Sequence, residues 1–118
     1  MTVTNYGVAE IAKLIIGTGT AIANVSIGTG TTAIAATYTT LNNEYKRATA
    51  TTSTVTTDVT GDSAQFVALF NFTESKAITE AGLHQTATGN TLCAGQTFAA
   101  INVVNTDSIQ ITYKLDLD

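Results

Sequence analysis

From Ser108 to Leu117 apolar and polar residues alternate without a break. Ile109, Ile111, Tyr113, Leu115 and Leu117 stand against Ser108, Gln110, Thr112, Lys114 and Asp116. Successive side chains of an extended strand point to opposite faces, so the pattern predicts one buried and one wet face. Upstream, Ala77–Gln85 and Thr91–Val104 read as two further strands joined by short turns. The last third of the chain is therefore expected to be antiparallel sheet.

The rest of the chain continues the theme with one exception. Asn5 to Ile16 carries Val8, Ile11, Leu14 and Ile15 at helical spacing, which predicts a helix with that stripe turned inward. Thr4 or Asn5 is placed to cap its start, and Gly17 to end it. Gly7 is an unfavourable residue in its first turn. A strand follows over Ala21–Ile27, broken by Gly28-Thr-Gly30. Thr37–Thr40 and Asn42–Asn43 read as turn, with one helical turn leading to Glu44 and Arg47. Ala48–Thr57 is almost pure Thr, Ala, Ser and Val, and its β-branched residues favour extended backbone. Thr60 to Ser63 forms a turn. Ala64–Phe72 then places Phe66, Ala68, Phe70 and Phe72 on one face, with Val67 and Leu69 on the other. Apolar residues on both faces predict a central strand, or one whose outer face meets another subunit.

The expected fold is thus mainly β: one domain over residues 1–118, with a helix at about 5–16. The remainder, about 21–117, forms an antiparallel sandwich or Greek-key barrel of six to seven strands.

Composition narrows the function. Only 12% of residues are charged, about half the usual share, while 44% are hydrophobic. Such a surface suits a protein packed against neighbours. The net charge is −4 with five Lys plus Arg, too few cations for phosphate contacts, so no nucleic-acid partner is expected. The longest apolar run, around Leu14–Ile16, is far too short to span a bilayer, and no secretory signal is legible at the start. A soluble, cytoplasmically made protein with no membrane partner is expected.

No residue set spells out a chemistry. Gly28-Thr-Gly30-Thr-Thr-Ala33 imitates a dinucleotide fingerprint, but that motif needs a helix inside a parallel βαβ unit, and antiparallel patterning surrounds it here. Cys93 is the single cysteine and His84 the single histidine. They could meet across adjacent strands, yet no third group is placed to orient the base. Asp58 and Asp62 flank a turn, where Asp bonds its own backbone. Asp116 and Asp118 point outward at the end. Glu44 is spaced to pair with Arg47. Glu80, inside a strand beside Gly82, is read as a structural acid satisfied by a neighbouring backbone or an Arg. The alternating acids of a calcium loop are absent. Catalytic, cofactor-binding and metal-binding residues are therefore expected to be none, and the protein is expected not to be an enzyme.

The first half of the chain carries Gly28-Thr-Gly30-Thr-Thr-Ala33 followed by Leu41, Glu44 and Arg47. The second carries Ala77-Ile-Thr-Glu-Ala-Gly-Leu83, then Leu92, Phe98, Ile101-Asn-Val103, Asp107-Ser-Ile109 and Ile111-Thr-Tyr113. In these two halves the chain resembles a set of small tailed-bacteriophage virion structural proteins. His84 stands where an aromatic is usual in that pattern, and Gly95 where an Arg is common. The resemblance implies a β-sandwich located in the virion and assembled in the bacterial cytoplasm. It further implies major capsid protein or other virion proteins as partners, along with copies of itself, a homotrimer being expected. The leading role is a capsid decoration (cement) protein. The alternatives are a tail, baseplate or fibre-attachment module and a receptor- or carbohydrate-binding module. With four Tyr, four Phe and no Trp, the chain is poorly supplied with the aromatic platform that the last would need. Met1–Asn5 and the loop Gly28–Thr40 are candidate surface segments.

Overall fold

A computed structural model describes residues 1–117, so Asp118 lies outside the described residues. The elements run β1 Thr2–Val3, α1 Asn5–Ile15, β2 Asn24–Gly28, β3 Glu44–Thr49, β4 Thr51–Val55, β5 Ser63–Asn71, β6 Lys76–His84, β7 Leu92–Val103 and β8 Ser108–Asp116. They build two antiparallel sheets, one in the order β1-β7-β6-β2-β3 and the other β4-β5-β8. This is the mainly β architecture with one N-terminal helix that the patterning predicts.

Two differences explain why eight strands appear where six to seven are expected. The N-terminal segment contributes a two-residue strand, Thr2 and Val3 pairing with Gly95 and Ala94. The Thr-rich run also does not start as one strand: β3 and β4 belong to different sheets and only Ala50 separates them. The expected helical turn at Glu44–Arg47 is the start of β3. Its backbone is claimed by β2, with Arg47 paired to Ser26 and Lys46 to Ile27, and such ladder bonds override weak local preference.

The core lies between the sheets. Phe66, Ala68 and Phe70 from β5, with Phe72 just beyond it, meet Val25, Ile27, Ile78, Leu83, Val103, Tyr113 and Leu115. Each large apolar side chain so buried stabilises by roughly 1.5–3 kcal/mol. β5 is the centre of its sheet, as its two apolar faces predict, yet Leu69 on the outer face is 60% exposed. In β8, Tyr113 and Leu115 are buried, whereas Leu117 past its end is exposed.

The helix lies on β7 through an unexpected face. Gly7 and Glu10 are buried, Ile11 and Leu14 half-buried, and Val8 and Ile15 exposed. A Cβ on Gly7 would sit 2.0 Å from the Cys93 carbonyl oxygen. The backbones meet at Gly7, and that contact fixes the helix rotation against the apolar stripe. The residue that weakens the helix locally is the one that seats it. Thr4 caps the start, its hydroxyl accepting the Gly7 N–H, and Gly17 follows the C-terminus with φ 78°.

Candidate functional site

The larger sheet hides a polar stripe on its outer face. The β2–β6 register sets Asn24 opposite His84, Ser26 opposite Gly82 and Gly28 opposite Glu80. Residues two apart share a face, so Ser26, Glu80 and His84 all point away from the core. They are nevertheless fully buried, because the segment between β2 and β3 folds back over them. Its Ile34 and Leu41 form a small second cluster with Leu92. Gly82 makes room for that cover: a Cβ there would lie 2.5 Å from a Leu92 methyl and 3.0 Å from one of Leu41.

Glu80 fastens this segment. Its carboxylate accepts N–H bonds from Gly30 at 2.9 Å, Asn42 at 3.0 Å and Asn43 at 2.8 Å, with the Asn42 side-chain amide at 3.4 Å. One buried side chain thereby satisfies three backbone donors that no strand partner reaches. The glycine pair around Thr29 is a seat for this carboxylate.

Beside it lies a second knot. Glu44 and Arg47 join by two bonds, Nε to Oε2 at 2.9 Å and Nη2 to Oε1 at 2.7 Å, and Arg47 Nη1 donates to the carbonyls of Thr86 and Gly89 at 3.1 Å each. Residues three apart on a regular strand face opposite ways. Here Ile27 pairs with Lys46 and Gly28 with Glu44, so Tyr45 is an extra residue and the bulge returns Glu44 to the face of Arg47. His84 Nε2 lies 2.7 Å from Ser26 Oγ and 3.9 Å from Glu44 Oε1, while Nδ1 is buried without a partner. In a Ser–His–acid nucleophile the acid holds the nitrogen remote from the serine. Here both groups crowd one nitrogen. Burial and then the Arg47 charge push the imidazole down to about 3, so it stays neutral.

The remaining candidates are kept apart. Cys93 Sγ faces the Thr91 carbonyl at 3.4 Å, not His84, and burial with the nearby Glu10 charge raises the thiol to about 11. That is opposite to the shift a thiolate nucleophile needs. Asp58, Asp62 and Asp116 bring carboxylate oxygens within 4.8 Å of one another. Asp62, however, spends its acceptors on the N–H groups of Val59, Thr57 and Asp58, which lower its carboxyl to about 2. It bonds its own turn, as the sequence predicts. Tyr45 and Phe72 stack at 6.0 Å, with Lys46 and Lys76 over the tyrosine ring at 5.5 and 4.8 Å.

Two of the open cavities among the described residues are bordered by apolar side chains. One of about 320 Å³ lies in the seam between β7 and β8. The other, about 340 Å³ and almost wholly apolar, separates α1 from the second sheet along Ile11, Ile15, Ile22, Phe66 and Leu117. Among the described residues no helix is long and apolar enough to cross a membrane. Sequence reasoning finds Glu80 and the Glu44–Arg47 pair. It misses Ser26, whose only signal is a polar residue inside an apolar strand, and the reach of Arg47 to Thr86 and Gly89. No protein-family model matches the chain, and neither does any curated protein or solved structure.

Proposed function

We propose that this protein is a non-enzymatic structural component of a tailed-phage virion, acting by adhesion as a capsid decoration protein at the borders between major capsid subunits. One observation supports the adhesive part: Ile15 and Leu117, which line the apolar groove, are 80% and 71% exposed. Large apolar side chains left exposed along one groove fit a surface that is covered when assembled. The resemblance of Gly28–Arg47 and Ala77–Tyr113 to phage structural proteins supplies the virion setting. Many weak contacts repeated around a shell would add through avidity. Self-association belongs to the same proposal. A threefold seam would take the homotrimer expected from the sequence and a twofold seam a pair, and the sheet edges favour the pair.

Quantitative mass spectrometry of purified particles tests the location. Copy numbers on the order of hundreds fit a symmetric shell, and roughly six to a few dozen copies fit the tail or baseplate alternative. Absence from the particle overturns both. The carbohydrate-binding alternative draws no support from Tyr45 and Phe72, whose stack is flanked by lysines and whose Phe72 is 2% exposed.

A further inference from the structure

The four strand edges of the two sheets are protected to very different degrees. Natural proteins blunt an edge by shortening it, bulging it, or placing charge or proline on it. β1 is two residues long. β3 carries a bulge together with Glu44, Lys46 and Arg47. β4 is five residues of mostly exposed Thr and Ser. β8 is nine residues long and has no bulge against β5, and its charges, Lys114 and Asp116, lie only towards its C-terminal end. It pairs with β5 over all nine residues without a register shift, from Ser63–Asp116 to Asn71–Ser108. No strand among the described residues pairs with its other side. The seam cavity opens beside it, lined by Phe98, Ile101, Gln110, Ile111 and Tyr113.

We infer that β8 is the docking edge for a second copy of this chain, added antiparallel across a twofold axis at Thr112, so that two three-stranded sheets merge into one. Pairing over the full length leaves one register. It sets Ile109 opposite Leu115 and Ile111 opposite Tyr113 on the inner face. On the outer face it sets Ser108 opposite Asp116 and Gln110 opposite Lys114. Every apolar residue meets an apolar one, which a twofold copy provides automatically. Charge agrees: neither Lys114 nor Asp116 faces its own kind, and each stays well away from its symmetry mate. The two seam cavities come together at the axis, where Ile111 and Tyr113 of each copy close the other. The inference needs neither a capsid nor a phage, so absence of the protein from particles would leave it standing, while its failure would remove only the pairwise form of self-association from the proposed function.

Light scattering on the full chain over a dilution series reads the assembly directly, with a dimer expected. Thr112→Lys puts two identical charges face to face on an exposed position and is expected to weaken association roughly tenfold. Thr112→Ser is expected to leave it unchanged, and circular dichroism checks that all variants fold. Thr112→Cys is expected to give a covalent dimer with a short bismaleimide, because Cys93 is 1% exposed. Thr52→Cys on β4 is expected to stay unlinked. A monomer at every concentration, a trimeric mass, a dimer indifferent to Thr112→Lys, or cross-linking at Thr52 and not Thr112 would each overturn the inference.

Discussion

Glu80 and His84 lie on one face of β6 and respond to opposite perturbations. Glu80→Gln keeps the size but turns an amide NH2 towards backbone N–H donors of Gly30, Asn42 or Asn43. A buried donor left unpaired costs about 1–3 kcal/mol, and a denaturant-midpoint shift of that size is expected. His84 answers to pH. Its folded value of about 3 lies below the ordinary 6.5, so between the two the unfolded chain holds a proton that the native protein refuses. Stability is therefore fully present above pH 6.5 and falls as the pH drops towards 3, by about 1.4 kcal/mol per unit at the steepest. His84→Phe, which keeps an aromatic ring but cannot take up a proton, is expected to flatten that limb in urea titrations between pH 6 and 4. An unchanged slope would assign the acid sensitivity to other groups. Glu80 is legible in the sequence because an acid among Ile78, Ala81 and Leu83 must be satisfied somewhere. His84 is not, because its partner Ser26 is far along the chain and nothing local announces it.

α1 and β3 show where periodicity misleads. The helix start and glycine stop follow from local rules; of the two caps the sequence offers Thr4 is used, and the helix ends one residue early at Ile15. Its orientation does not, because it is decided by how closely two backbones approach at Gly7. Gly7→Ala inserts a methyl against the Cys93 carbonyl and is expected to cost about 1–3 kcal/mol despite the better helix propensity of Ala, measured as a lower thermal midpoint. A stabilised variant would mean that the helix shifts freely on β7. In β3 the spacing of Glu44 and Arg47 fits a helix as well as a bulged strand. Only the pairing with β2, set by residues some twenty positions earlier, separates the two. β8 is readable because one face alone is apolar, and β5 because its two apolar faces mark a strand with neighbours on both sides. The segment between β2 and β3 is not, since its fixing points are Glu80 and Gly82 on another strand.

At the scale of the molecule, large apolar side chains such as Ile15, Leu69 and Leu117 stay on the surface. Ile15→Glu with Leu117→Glu changes side chains already more than two-thirds exposed, and the folded chain is expected to keep its stability within about 0.5 kcal/mol. If the groove is the adhesive face, the same pair abolishes binding of the purified protein to shells that lack it, measured by co-sedimentation. Undiminished binding would move the adhesive face elsewhere. The sequence gives the imbalance between apolar and charged residues directly, but which apolar residues remain outside depends on helix rotation and on where β8 ends. The sealed thiol of Cys93 carries a further consequence. It lies on β7 beneath the helix, so an alkylating reagent reaches it only when those layers part. The rate of its modification thus clocks the breathing of the sandwich, a stopwatch that needs no added dye. Any neighbour that clamps the particle together should slow it.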